Sequence, residues 1–161
     1  MIYVISDTHI PERASRLPRK FVEKVKKDDI ILHAGDFTGI EAYRDLDSLA
    51  TLYAVRGNMD HPEIRRLLPA KRVLELCGFK IGLIHGSGSP FSLAERVYKE
   101  FEDNLDVIVF GHSHSPYNLM QGNTLLFNPG SLSGNFPSWK KSYGILQVDE
   151  KKNRGEVVYI A

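Results

Sequence analysis

Ile2-Tyr3-Val4-Ile5-Ser6-Asp7-Thr8-His9 begins the chain, and the way it breaks off decides how the rest is read. A short, mostly β-branched run with no polar alternation reads as a strand covered on both faces. It stops at Asp7 and His9, which as alternate residues can project from one side of an extended segment. Four further apolar runs end in the same manner. Ile30-Ile31-Leu32-His33-Ala34-Gly35 leads to Asp36, and Leu52-Tyr53-Ala54-Val55-Arg56-Gly57 leads to Asn58. Ile81-Gly82-Leu83-Ile84 leads to His85, and Val107-Ile108-Val109-Phe110-Gly111 leads to His112 and His114. Open α/β sheets bind ligands beyond the carboxyl ends of their strands. Five strand ends carrying compatible ligand types therefore point to one metal-dependent site.

Working outward, strands over residues 2–6, 30–34 and 52–56 alternate with helices over 19–27 and 40–49. This βαβαβ order implies parallel strands with right-handed crossovers. Residues 72–76 and 80–85 flank Cys77-Gly78-Phe79 as a hairpin, and a helix over 91–101 returns the chain to the strand at 107–110. The last third changes character. Strands over 117–120 and 124–127, and over 143–148 and 156–160, are separated by turn residues and read as antiparallel. An α/β domain with mixed sheets, spanning residues 1–161, is the expectation.

Bulk properties narrow the classes. The 161 residues carry 42% hydrophobic and 25% charged side chains, ordinary for a globular domain. A net charge of +1 and the lack of a nucleic-acid-binding motif argue against nucleic acid as a specific partner. No apolar stretch nears the ~18 residues of a membrane span, and no signal peptide is evident. A lone cysteine, Cys77, excludes an internal disulfide and fits a reducing compartment. A cytoplasmic protein acting on a small molecule, as monomer or homo-oligomer, is expected.

The end residues sort by chemistry. Imidazole mixed with carboxylate suits Mn, Fe, Co, Ni or Zn rather than Mg or Ca, and no cysteine is present to build a structural zinc knot. Seven groups exceed one tetrahedral zinc but suffice for two ions sharing a carboxylate. Such a pair can hold a bridging hydroxide for in-line attack on a phosphoester. Gly35, Gly57 and Gly111 directly precede Asp36, Asn58 and His112, where glycine allows a sharp turn and close backbone approach.

Together, Asp7-x-His9, Gly35-Asp36, Gly57-Asn58, His85 and Gly111-His112-x-His114 resemble the five blocks of the calcineurin-like metallophosphoesterases. Asn128-Pro129-Gly130-Ser131 matches their small single-domain bacterial and archaeal phosphodiesterase branch. The resemblance implies a sandwich of two mixed β-sheets flanked by helices, the metallo-dependent phosphatase fold. By position, Asp7, His9, Asp36 and His114 would hold one metal, and Asp36, Asn58, His85 and His112 the other. Two divalent transition-metal ions are implied, manganese first among them. The implied activity is phosphodiester hydrolysis by a metal-bridging hydroxide. The alternatives are a phosphomonoesterase with the same site and a non-catalytic protein scaffold like the retromer subunit of this fold. All seven ligand positions are filled, which weighs against the scaffold.

Two positions depart from the family pattern. Met59 stands where many relatives place a histidine that serves the leaving oxygen, and Ile84 replaces a common glycine. His61, three residues past Asn58, is then a candidate displaced proton donor or a surface loop residue. His33, inside a strand, reads as structural. The basic stretch from Arg13 to Lys27 reads as a solvated helix face, with Lys26-Lys27 ending the helix dipole. Arg13 is the best placed for an anionic-substrate rim. Asn128-Pro129-Gly130-Ser131 is a turn, either architectural or in contact with substrate.

Overall fold

A computed structural model describes residues 1–149 and 152–161. In chain order the elements are β1 (Ile2–Ile5), α1 (Arg19–Val22), β2 (Ile30–His33), α2 (Ile40–Leu49), β3 (Thr51–Ala54), α3 (Pro62–Leu67) and β4 (Lys71–Leu76). They continue with β5 (Phe79–Ile84), α4 (Leu93–Lys99), β6 (Val107–Val109), β7 (Tyr117–Gln121), β8 (Thr124–Asn128), β9 (Lys141–Asp149) and β10 (Lys152–Ile160). Two five-stranded mixed sheets result, ordered β10-β9-β1-β2-β3 and β4-β5-β6-β8-β7.

The apolar runs have the physical cause expected of them, since the central strands β1, β2, β6 and β8 are covered on both faces. Side chains alternate across a strand. Ile2 and Val4 point into the gap between sheets, with Leu32, Leu83, Val107, Val109 and Phe127. Tyr3 and Ile5 point the other way, against Phe21, Phe37, Leu46 and Ile64 of the helical flank. On the second sheet Ile108 turns outward to meet Leu93 and Val97 of α4. Helix, sheet, sheet, helix is the layer order.

Several boundaries differ from expectation. α1 stops at Val22 instead of reaching residue 27. Beyond it Lys24 N–H bonds only three residues back, to Phe21, and the Asp29 carboxylate takes the Lys26 N–H. Lys26 and Lys27 therefore end no helix. α3 is a helix the sequence reading omitted. β8 forms the expected antiparallel hairpin with β7 but runs parallel to β6 on its other side. The turn expected between β9 and β10 falls partly on residues 150 and 151, outside the described residues. Among the described residues no helix is long and apolar enough to cross a membrane.

Candidate metal centre

β1, β2 and β3 run parallel in one sheet, and β5 and β6 run parallel in the other. Their carboxyl-end loops meet at the seam between the sheets. Asp7 N–H bonds Gly35 O at 3.0 Å and His9 N–H bonds Asp36 O at 3.1 Å, stitching the first two loops together. Gly111 N–H bonds His85 O at 3.1 Å, and His112 N–H reaches across the seam to Asp7 Oδ2 at 3.2 Å.

Asp7, His9, Asp36 and His114 each bring one ligand atom within 4.8 Å of the others. Asp36 Oδ2 lies 3.4 Å from His9 Nε2 and 3.3 Å from His85 Nε2, so one oxygen faces both halves of the cluster. On the second half Asn58 Oδ1 stands 3.0 Å from His85 Nε2 and 3.2 Å from His112 Nδ1. The structure thus gathers all seven expected residues.

Backbone conformation supports a specialised site. Asp7, His9, Asp36, His112 and His114 all have positive φ, between 44° and 69°. Non-glycine residues rarely adopt this region, and such strain persists where surrounding structure over-determines it. Glycine supplies the close approach. A Cβ on Gly57 would strike Asp36 Oδ1, and one on Gly111 would strike Ser6 Oγ and lie 2.9 Å from Asp7 Oδ2.

The residues fit a bound cation. Three imidazoles have one ring nitrogen against a backbone carbonyl: His85 Nδ1 at 2.6 Å from Ala34 O, His112 Nε2 at 2.7 Å from Gly88 O, and His114 Nδ1 at 2.5 Å from Phe136 O. As donors to those carbonyls they leave the other nitrogen aimed into the cluster, the arrangement that orients metal-binding histidines. His9 Nε2 and His114 Nε2 face each other at 3.2 Å, a distance that calls for a proton or a metal ion between them. Buried Asp7 Oδ1 accepts no hydrogen bond although three Nε2 atoms surround it at 3.3 to 3.9 Å.

Charge is distributed accordingly. Burial pushes the Asp7 carboxyl up, but contact with His114 and the charges of His85 and His114 more than reverse this. Asp36 is also held well below the usual carboxylate range; burial opposes it, and the bond with His85 dominates the lowering. Burial disfavours a charged His85, yet Asp36 and Asp7 raise its pKa to about 9. His9 moves down, burial outweighing its carboxylate neighbours.

His33 is structural as expected. Its ring stacks on Phe37 at 3.7 Å, Nδ1 accepts the Gly35 N–H at 3.0 Å, and burial lowers its pKa to about 3. His61 is exposed and caps α3, its Nδ1 accepting the Glu63 N–H at 3.3 Å. Pro62 follows at the first helical position, where its missing N–H costs nothing. Arg13 is exposed, its N–H bonded to His9 O at 2.7 Å.

Sequence reading missed Asp60 and Asn135, which brace the loops together with the turn at Asn128–Ser131. Asp60 accepts N–H groups from Phe37 and Gly57, tying the Asp36 and Asn58 loops together, and burial lifts its pKa to about 6. Its signal was an Asp just past a Gly-Asn turn, where such side chains commonly bond nearby backbone. Asn135 Nδ2 and Ser131 Oγ both donate to Asp7 O, at 3.1 and 3.0 Å, while Asn128 Nδ2 donates to Gly111 O at 2.8 Å. The Asn128–Ser131 turn is therefore architectural on both sides of the seam.

Residues 1–151 match the model of the calcineurin-like phosphoesterase superfamily domain. The chain belongs to this superfamily. A probable metallophosphoesterase of Methanothermobacter thermautotrophicus is 36% identical over 164 residues, covering 98% of this chain and 91% of the relative. A Thermotoga maritima protein solved by NMR in solution is 31% identical with a TM-score of 0.74, over 99% of this chain and 98% of that one. Entamoeba histolytica Vps29 complexed with Zn²⁺ is 24% identical with a TM-score of 0.74, over 98% of each chain, a likeness of fold alone. At family level this calcineurin-like chain is a phosphoesterase-type hydrolase with a group of residues able to hold a divalent metal.

Proposed function

We propose that the chain is a two-metal phosphodiesterase, a single domain across residues 1–161, acting on a small phosphoester in the cytoplasm. The position of Asp36 carries the reading: its Oδ2 lies within 3.4 Å of an imidazole nitrogen from each half of the cluster. Asp7, His9, Asp36 and His114 would hold one ion, and Asp36, Asn58, His85 and His112 the other. Manganese is the first choice among Mn, Fe, Co, Ni and Zn. Such ions supply a water acidic enough to act at neutral pH and charge to offset the phosphate oxygens.

The chain's own residues set the geometry. Carbonyls of Ala34, Gly88 and Phe136 fix three rings before any ligand arrives. Asn58 offers a neutral oxygen, leaving more positive charge for the phosphate than a carboxylate would. The deciding experiment is an assay after reconstitution with Mn²⁺, comparing aryl phosphodiesters, phosphomonoesters and cyclic nucleotides. Turnover of diesters supports the reading, and a preference for monoesters replaces it with the monoesterase. A protein-contact scaffold is the second reading, favoured by the neighbouring Phe136 and Trp139 rings, 65% and 73% exposed. It predicts no metal-dependent turnover at all.

Two expectations follow from the geometry. His85 is protonated at pH 7 in the metal-free protein because its pKa is about 9. Metal must displace that proton, so apparent affinity should rise about tenfold per pH unit from roughly 7 to 9 and then level off. Calorimetry in buffers of different ionisation enthalpy measures the released proton; a flat profile sinks the assignment of His85.

The second concerns Arg96. Its guanidinium donates to the carbonyls of Phe91 at 2.6 Å, Ser87 at 2.8 Å and Ser89, clamping the exposed loop that carries Gly88. Gly88 O in turn orients His112. Arg96→Gln is expected to weaken one of the two metal sites roughly 10–100-fold and spare the other. Equal weakening of both, or none, would show that the clamp does not position His112.

A further inference from the structure

Beside Asn58 and His85 the surface opens into a cavity of about 320 Å³. Ala70, Ile84, Leu93 and Val97 form its apolar side, and Arg56, Arg96 and Glu100 supply the charge. We infer that this cavity receives one ester group of the substrate, a ring-sized, non-cationic organic group with a hydrogen-bonding edge. The inference rests on the phosphoester reading above, since a phosphate held at Asn58 and His85 has the cavity mouth as its immediate neighbour.

Size argues for a ring. Small-molecule sites run from roughly 300 to 1,000 Å³, so this cavity suits one ring system and is far larger than a methyl group needs. Apolar area on one side gives a planar group something to pack against.

Charge argues against a cation. Arg96 gives three of its five N–H donors to loop carbonyls, so it is the less available of the two guanidiniums. Arg56 gives Nη1 to Arg65 O at 3.0 Å and retains other N–H donors, guanidinium having five. Glu100 stands in the same lining as an acceptor. Two guanidiniums against one carboxylate disfavour a cationic group, and a group carrying both an acceptor and a donor can use Arg56 and Glu100 together. Ile84, directly before His85, is part of the apolar side.

Ala70 tests the inference because it is exposed and lies outside the packed core. The Mn²⁺-loaded protein is assayed with thymidine para-nitrophenyl phosphate and methyl para-nitrophenyl phosphate, which share a leaving group and differ in the remaining ester group. Ala70→Trp is expected to lower the ratio of kcat/KM for the thymidine ester over the methyl ester about tenfold, mainly through KM. Ala70→Leu, a smaller plug, should move the ratio in the same direction by less. Calorimetric affinity for thymidine methylphosphonate should fall in parallel while Mn²⁺ stoichiometry is retained. A ratio unchanged within about twofold in Mn²⁺-binding variants overturns the cavity assignment and leaves the phosphoesterase reading intact. A wild-type protein that binds Mn²⁺ and cleaves neither diester overturns that reading, and the cavity assignment with it.

Discussion

Asp36→Asn is expected to lower kcat/KM for phosphodiesters by about three orders of magnitude, the equivalent of roughly 4 kcal/mol of transition-state stabilisation. The substitution keeps the shape and removes the shared charge. Asp36 Oδ1 already accepts the Met59 N–H at 2.9 Å, and an amide oxygen can go on doing so. The amide nitrogen would then take the place of Oδ2, facing the two imidazole nitrogens that stand 3.3 and 3.4 Å away. A donor replaces an acceptor at the point where the two proposed ions would share an anion. Metal content is the measurement that separates this from a general loss of fold. The variant should melt normally and lose affinity at both sites. Retention of two tightly bound Mn²⁺ ions would show that Asp36 is not shared.

Gly57→Ala should be the most damaging change to stability near the site. At this position the objection is steric: the new Cβ would lie 2.6 Å from the Asp36 backbone nitrogen and 2.9 Å from Asp36 Cγ. Backbone cannot retreat as a flexible side chain would, because Asp7 and His9 hold the neighbouring loop through main-chain hydrogen bonds and Asp60 holds it through its carboxylate. Overpacking of this kind costs about 3 kcal/mol, which in a chain of this length lowers Tm by roughly 10 °C. Metal affinity should fall with it, since Asp36 must move. A variant that melts within about 2 °C of wild type would show that the loop has slack the structure does not display.

The site was legible because ligand identity and strand termination are both written locally. A β-branched run that ends in Asp-x-His announces its position without any tertiary knowledge, and five strand ends carrying ligand residues point to one site, though not to its place between two sheets. The βαβαβ order was legible for the same reason. What lay hidden depends on contacts between distant segments. β8 looks from its own residues like half of a hairpin with β7, and nothing local tells that its other edge pairs with β6. α1 lost its second half to the Asp29 carboxylate, a competitor seven residues past Val22. The left-handed backbone at Asp7, His9, Asp36, His112 and His114 left no trace, because strain at non-glycine positions is imposed by surroundings and not chosen by the residue. α3 carried local signals, Pro62 and Glu63 after His61, that the sequence reading passed over.

The placement of the seven residues has a mechanical consequence. Asp7, His9, Asp36 and Asn58 hang from one sheet, while His85, His112 and His114 hang from the other. Bound ions would therefore rivet two halves of the molecule together at one end, the rest of the seam being held by packing and by hydrogen bonds such as Asn118 Nδ2 to Gly155 O at 2.7 Å and Asn153 Nδ2 to Asp106 O at 3.4 Å. Opening of the halves and release of the ions become a single cooperative event, and ligand mass action strengthens the joint. Hydrogen exchange with and without Mn²⁺ should show the largest gain in protection at the amides of Asp7, His9, Gly111 and His112, above that of the mid-strand amides. A uniform gain over both sheets would instead mean that the ions stabilise each half separately, with no hinge between them.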